Sequence, residues 1–174
     1  MNTNTEQTIY IISGPCGVGK STLAKELANH LKKSALVHGD YFLEMYGEGS
    51  EPPWEERLNI MWKNILSTTQ TLIQHDFNVI IDIVVEDEME WFCKHFSHLN
   101  VKVKYIVLLA EKDRLIERIQ KRGDTYLIDR SLFLLNQLEN TPGNKLHLYD
   151  TTNKQPYDIL MDIMNSSNFD LDLS

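Results

Sequence analysis

The chain has little cysteine, little positive charge and no long apolar run, and each shortage excludes a class of protein. Its 174 residues include only two cysteines, Cys16 and Cys93. Two isolated cysteines give neither a disulfide framework nor the paired spacing of a zinc site. We therefore predict that both are reduced thiols.

Basic residues are outnumbered, since 17 lysines and arginines stand against 25 aspartates and glutamates and give a formal net charge of −8. No block of basic residues occurs anywhere in the chain. The composition therefore argues against binding nucleic acid through bulk electrostatics, and no nucleic-acid partner is expected. Any anion that this protein binds must be held by local geometry.

No apolar run approaches the length needed to span a bilayer. The first seven residues are polar and carry one charge, on Glu6, which is typical of neither a secretory signal nor a transit peptide. We expect a cytoplasmic protein with no membrane partner. A length of 174 residues and an apolar fraction of 42% suit one domain spanning residues 1–174, either as a monomer or as a homodimer.

What the chain does contain is a phosphate-binding loop at residues 14–21, where GPCGVGKS fits Gly-x-x-x-x-Gly-Lys-[Ser/Thr]. Glycines let the backbone adopt positive φ, so that successive N–H groups face an anion, and the helix that follows adds its positive end. Lys20 is placed to reach the β- and γ-phosphates, and Ser21 to offer its hydroxyl to Mg²⁺. The predicted nucleotide-binding residues here are Gly14, Pro15, Cys16, Gly17, Val18, Gly19, Lys20, Ser21 and Thr22.

The context of this loop supports the nucleotide-binding interpretation over a glycine turn without a ligand. The β-branched and aromatic run at residues 8–13 predicts a buried strand, and Leu23, Leu27 and Leu31 recur at helical spacing after the loop. Strand, loop and helix therefore come in the order that a phosphate-binding loop requires.

Two aspartates are predicted to face the nucleotide. Asp40 follows a short predicted strand, residues 34–38, and ligands bind at the carboxyl ends of parallel strands. Asp82 interrupts a nearly apolar predicted strand, residues 78–85, which makes it a candidate for holding Mg²⁺ through water beside Ser21. The alternatives are a helix-capping role for Asp40 and a neutral or hydrogen-bonded buried carboxyl for Asp82.

Residues 41–54 combine aromatic side chains with glycine and proline and contain no lysine or arginine. They are predicted to form a loop or broken helix whose aromatic rings either line an acceptor pocket or pack into the core. A long helix whose apolar face runs from Leu58 to Ile73 should follow. The acidic run at residues 86–90 is interpreted as the solvated start of a further helix.

Arginines recur around a short polar link after the predicted fourth strand, residues 101–109. Arg118 and Arg122 lie on a charged helix, and Arg130 begins the next helical pattern. A hinged segment at residues 122–130 with flanking arginines suits a lid that closes over phosphates. The alternative is a surface face of ordinary ion pairs.

A fifth strand is predicted at residues 145–149 and a last helix after Pro156, followed by a loose acidic tail from about residue 166. The segment Asn153-Lys154-Gln155-Pro156 lacks the final aspartate of the guanine-reading Asn-Lys-x-Asp pattern. Guanine specificity is therefore not supported.

Taken together, the phosphate-binding loop, the strand that ends in Asp40, the Asp82 strand and the arginine helix with its lid resemble the small P-loop kinases, closest in outline to the gluconate kinase, shikimate kinase and chloramphenicol phosphotransferase types. The resemblance covers nearly the whole chain and implies an α/β fold, a three-layer α/β/α sandwich around five parallel strands in the order 2-3-1-4-5. The second strand departs from the Asp-x-Asp pattern of shikimate kinases, because His38 precedes Gly39 and Asp40.

The resemblance also implies ATP and Mg²⁺ as cofactors and a small molecule as phosphoryl acceptor. Lys20 would contact phosphate, Asp40 would orient or deprotonate the acceptor hydroxyl, and the lid arginines would stabilise the moving phosphoryl group. The adenine would be bordered by Thr151, Thr152 and Asn153. Two rival functions stay open, a nucleoside or nucleotide kinase and an ATP-binding sensor that does not transfer phosphate.

Overall fold

The protein is a twisted parallel sheet covered by helices, as seen in a computed structural model that describes residues 6–173. Residues 1–5 and Ser174 lie outside the described residues, so the expectation that the N-terminus carries no targeting signal stays a prediction. Five strands form one sheet in the order β2-β3-β1-β4-β5, with every pair of neighbours parallel. Their bounds are β1 Gln7–Ser13, β2 Ser34–His38, β3 Asn78–Asp82, β4 Val101–Leu109 and β5 Leu148–Asp150.

Within residues 6–173, six α-helices cover the two faces of the sheet, and three short 3-10 turns join the elements. The helices are α1 Lys20–His30, α2 Trp54–Gln74, α3 Met89–Lys94, α4 Lys112–Arg122, α5 Ile128–Asn140 and α6 Pro156–Asn165. The turns are Gly39–Phe42, Thr125–Leu127 and Pro142–Asn144.

Alternate residues of the central strand β1 enter two separate apolar cores, because successive side chains of a strand point to opposite faces. Ile9 and Ile11 pack with residues of α2, α3 and α5, whereas Tyr10 and Ile12 pack with residues of α1, α4 and α6. The predicted three-layer architecture and the predicted strand order are therefore confirmed. In residues 6–173, none of the helices is both long and apolar enough to cross a membrane.

Two predicted strands differ from those observed. β3 ends at Asp82 rather than Val85, because β1 turns into the phosphate-binding loop after Ser13 and its hydroxyl accepts the Val85 N–H at 3.0 Å in place of a ladder bond. β5 begins at Leu148, the residue in register with Val107 near the end of β4. The residues predicted to open that strand instead follow the turn Pro142–Asn144.

The C-terminal segment is packed against the sheet, so the prediction of a loose tail is wrong for its described part. Because β5 pairs only with the end of β4, the first half of that edge of β4 is left for another segment. Residues 169–171 occupy it: the Tyr105 N–H donates to the Phe169 carbonyl at 2.9 Å and the Leu171 N–H to the Val103 carbonyl at 2.8 Å. Phe169 is also buried in the core, which covers an edge that would otherwise pair with another chain.

Candidate active site

Three glycines shape the loop between β1 and α1. Gly14, Gly17 and Gly19 have φ values of 145°, 78° and 109°, conformations that side-chain-bearing residues rarely adopt. A Cβ on Gly14 would lie 2.6 Å from the Leu108 carbonyl oxygen, and one on Gly17 would lie 2.6 Å from a carbon of Ile119. The loop thus packs closely between β4 and α4. Gly14 and Gly17 are needed because they have no side chain as well as because they can adopt positive φ.

Lys20, the first residue of α1, turns back over this loop. Its ammonium group donates to the carbonyl oxygens of Gly14 and Pro15 at 2.9 and 3.0 Å. Burial lowers the pKa of Lys20, while the charges of Asp82 and Asp40 act in the opposite direction. Lys20 is therefore close enough to both predicted carboxylates to interact with their charges. The fold thus brings together residues that are at least 20 positions apart in the chain.

Asp40 lies in the 3-10 turn directly after β2. Although the residue as a whole is exposed, partial desolvation raises the pKa of its carboxyl group. Lys20 lowers that pKa, whereas Asp82 and Glu44 raise it. The Asp40 carboxyl group is therefore protonated more easily than an ordinary aspartate, and it lies at the same edge of the sheet as Lys20.

Asp82 is the last residue of β3 and is 7% exposed. Its Oδ2 atom lies 3.1 Å from His38 Nδ1, at the end of the neighbouring strand. In the sequence, His38 is only a departure from the Asp-x-Asp pattern, and it was not predicted as a site residue. The one sequence feature that could have identified His38 as a site residue is its position directly before Gly39 and Asp40.

A cavity of about 360 Å³ lies beside the phosphate-binding loop, on the side of α4 and α6. Arg118 and Arg122 both line it, and the Arg118 guanidinium donates to the Val18 carbonyl at 3.0 Å. Lys121 and Lys154 line it too and were missed, because a lysine on a charged helix or loop gives no sequence signal of its own. The cavity is lined by Gly17, Val18, Gly19, Thr22, Leu23, Glu26, Leu108, Arg118, Lys121, Arg122, Thr151, Lys154, Pro156 and Ile159.

The three residues predicted to border adenine divide into different roles. Thr151 lines the cavity. Thr152 fastens the loop before α6 to the start of α4, because its hydroxyl accepts the Glu111 N–H at 2.9 Å. Asn153 is exposed and is not among the residues that line the cavity.

Arg130 is directed to a different partner. Its guanidinium lies 2.7 Å from Glu86, which also accepts a hydrogen bond from Gln137 at 3.0 Å. The acidic run is therefore not simply a solvated helix start: α3 begins at Met89, and Glu86 anchors α5 to the end of β3. Next to Arg130, the Ser131 hydroxyl donates to the Cys16 carbonyl at 2.7 Å, so α5 also contacts the phosphate-binding loop.

The predicted aromatic segment is a loop that is partly held by Arg57. The guanidinium donates to the Leu43 carbonyl at 2.5 Å and lies 5.7 Å from the ring centres of both Tyr46 and Trp54. Tyr41 and Trp54 remain more than half exposed, at 67% and 54%. The segment therefore divides between the two predicted alternatives: Phe42 packs against the core, whereas the rings of Tyr41 and Trp54 do not.

Comparison with known proteins gives a family and a fold. Residues 9–140 match the model of the AAA_33 family, described as AAA domain. A guanylate kinase of Mycoplasmoides gallisepticum is 25% identical over 173 residues, covering 86% of this chain and 85% of that protein.

Two solved structures share the fold. The tunicamycin resistance protein of Deinococcus radiodurans superposes with a TM-score of 0.65 at 18% identity, covering 91% of this chain and 94% of that one. A gluconokinase from Sinorhizobium meliloti superposes with a TM-score of 0.61 at 14% identity, covering 90% and 89%. The predicted resemblance to small P-loop kinases is confirmed at the level of the fold.

Proposed function

The chain belongs to the AAA_33 family of AAA domains, and from that membership and the geometry around Lys20 we propose that it is a small-molecule kinase. In this proposal the protein transfers the γ-phosphoryl group of ATP to a hydroxyl group of a small molecule. The observation that carries it is the convergence of Lys20, Asp40 and Asp82 at the carboxyl edge of the sheet. Asp82 would serve Mg-ATP binding in a sensor as well as in a kinase, so the residue that favours phosphoryl transfer is Asp40, which supplies a second carboxylate beside Lys20.

Each residue has a role that suits its surroundings. The oxygen of the acceptor attacks the γ-phosphorus as the bond to ADP breaks, and Asp40 accepts the proton that the hydroxyl loses. Lys20, Arg118 and Arg122 stabilise the negative charge on the phosphoryl oxygens. The raised pKa of Asp40 makes it a better proton acceptor than an ordinary exposed aspartate.

The donor set fits Mg²⁺. Ser21 is exposed in the first turn of α1 and offers a hydroxyl, and Asp82 offers a carboxylate. Within the described part of the chain, no group of three or more His, Cys, Asp or Glu side chains forms a complete metal cage. That suits Mg²⁺, which is commonly bound by one or two protein oxygens together with water and substrate phosphates. The ion would neutralise charge on the phosphate oxygens.

A nucleotide acceptor is the second candidate, because the relative from Mycoplasmoides gallisepticum is a guanylate kinase. An acceptor phosphate requires cationic side chains beside Asp40. Arg57 is the nearest arginine along the chain, and it is already engaged by the Leu43 carbonyl and two aromatic rings. Exposed rings at Tyr41 and Trp54 instead favour stacking on an uncharged acceptor.

The test is a coupled ADP-release assay with Mg-ATP against a panel of sugar acids, nucleosides, nucleotides including GMP, and hydroxylated antibiotics. The variants are Lys20→Ala and Asp40→Asn, matched with Lys25→Ala on the exposed face of α1 and Asp113→Asn on α4. We expect acceptor-dependent release to fall by about 100-fold or more in the first pair and to stay unchanged in the second.

The outcomes separate the candidates. Release that requires GMP or another nucleotide would support the second candidate, and near-normal turnover of Lys20→Ala would contradict the role of the lysine. ATP binding with no acceptor-dependent release across the panel would favour the non-catalytic sensor.

A further inference from the structure

His38 and Asp82 form a hydrogen-bonded pair across two neighbouring strands. They are the last residues of β2 and β3, and they stand directly opposite each other in the parallel register. The 3.1 Å contact joins His38 Nδ1 to Asp82 Oδ2. An ionised carboxylate, the form that binds Mg²⁺, only accepts hydrogen bonds, so with Asp82 in that form the proton of this bond is on Nδ1.

The residue that follows His38 is tightly packed. Gly39 packs so closely on Ile83 that a Cβ would lie 2.4 Å from the end of that side chain. The His38 ring also lies 5.0 Å from the Tyr41 ring, centre to centre. The imidazole is thus fixed by its strand, by the turn after it and by an aromatic neighbour, and it is less than one third exposed.

This contact makes the two carboxylate oxygens of Asp82 different from each other. Oδ2 accepts from His38, and the structure shows no hydrogen bond from any of residues 6–173 to Oδ1. A carboxylate that is free to rotate about its last bond would lose this distinction. A donor on one oxygen fixes the direction of the other, which is how residues behind a metal ligand tune its affinity.

We infer that His38 is a positioning residue, which orients Asp82 for the magnesium–nucleotide complex. The inference rests on the proposed role of Asp82 in holding Mg²⁺. It does not require His38 to touch substrate or to change its protonation state. His38→Leu should then weaken metal binding in the nucleotide complex by about 10- to 100-fold, the usual effect of losing such a partner.

A purely structural role makes a different prediction. If His38 served only to satisfy a buried carboxylate, its loss would lower the stability of the protein and leave metal affinity unchanged. Stability and metal affinity must therefore be measured separately on the same variants.

The experiment measures Mn²⁺ binding by electron paramagnetic resonance, with the non-hydrolysable analogue AMP-PNP at saturation. The variants are His38→Leu, His38→Asn and His38→Gln, with His98→Leu at an exposed position as the matched control. Asparagine carries its amide nitrogen on Cγ, as histidine carries Nδ1, whereas glutamine carries its nitrogen one bond further out. Thermal unfolding without ligand reports the stability of each variant.

We expect His38→Asn and His98→Leu to bind Mn²⁺ as the wild type does, and His38→Leu and His38→Gln to bind it 10- to 100-fold more weakly. Equal Mn²⁺ affinity in His38→Asn and His38→Gln would overturn the inference, even if His38→Leu does not fold. Wild-type protein that binds no Mn²⁺ with AMP-PNP would remove the metal role of Asp82, and the inference with it. A negative acceptor screen would contradict the proposed kinase activity but leave this measurement valid.

Discussion

Replacing Gly14 by alanine tests whether the phosphate-binding loop is held by backbone conformation, by close packing or by both. Gly14 has a φ of 145°, and an added Cβ would lie 2.6 Å from the Leu108 carbonyl oxygen and 2.9 Å from a methyl carbon of Val18. Both the positive φ and the close contacts disfavour a side chain at this position. A carbonyl of β4 cannot move aside without disturbing the sheet.

Three other glycines separate the two effects. Gly49 has a φ of 74° and open space around its Cβ position, so it reports conformation alone. Gly39 lacks a positive φ but is in tight contact with Ile83, so it reports packing alone. Gly143 has neither constraint and serves as the baseline.

The expected free energies follow from these geometries. Gly143→Ala should be neutral or should stabilise by about 0.4–1 kcal/mol, because alanine restricts the unfolded chain. Gly49→Ala should cost about 1–2 kcal/mol for the left-handed conformation, and Gly39→Ala about 1–3 kcal/mol for overpacking. Gly14→Ala combines strain and overpacking and should cost about 2–6 kcal/mol, the largest loss of the four.

Urea unfolding followed by circular dichroism measures these values, with a common slope required for the comparison. The reasoning is refuted if Gly14→Ala unfolds within 1 kcal/mol of Gly143→Ala. It also fails if Gly49→Ala is the most destabilised variant, because conformation alone would then outweigh the contact with the backbone.

Three further predictions concern ionisable groups. Glu44 raises the pKa of Asp40, so Glu44→Gln should move the acid limb of kcat/KM to lower pH, and Glu48→Gln in the same loop should leave it in place. The pKa of Asp40 is raised in the folded state, so its favourable contribution to stability is present at acid pH and is lost as the pH rises through that pKa. Asp40→Asn should therefore be more stable than the wild type at pH 7. Thermal unfolding should show that this difference vanishes below about pH 4. Burial raises the pKa of the Cys93 thiol to about 11, so at pH 8 it should react with a thiol reagent about 100-fold more slowly than in the unfolded chain, as measured in a Cys16→Ser background. A Cys93 rate equal to that of unfolded protein would contradict the burial.

The elements at the centre of the sheet could be predicted from sequence because their signals are local. The strand before Gly14 is read from β-branched residues, and the helix after it from leucine spacing. β2 is observed at its predicted bounds, and so is β4. The strand order, by contrast, came from resemblance, since no local pattern states which strands are neighbours.

The errors lie where a segment depends on a distant partner. β5 begins at Leu148 because its pairing with β4 starts at Val107, and nothing in residues 145–149 indicates that register. The tail is ordered because β5 is too short to cover β4. Glu86 belongs to an acidic run that is typical of a solvated helix start. Its structural role depends on Arg130, which is distant in the sequence and close in the fold.

The charges of the site are distributed so that a compact anion is favoured over an extended one. The net charge of −8 repels polyanions at long range. Four cations, however, line the 360 Å³ cavity beside the phosphate-binding loop: Arg118, Lys121, Arg122 and Lys154. A nucleotide can bring its few phosphates close to these groups at short range, where screening is weak. A long nucleic acid would place most of its phosphates against the acidic remainder of the surface, so we expect the same cations to serve the nucleotide alone.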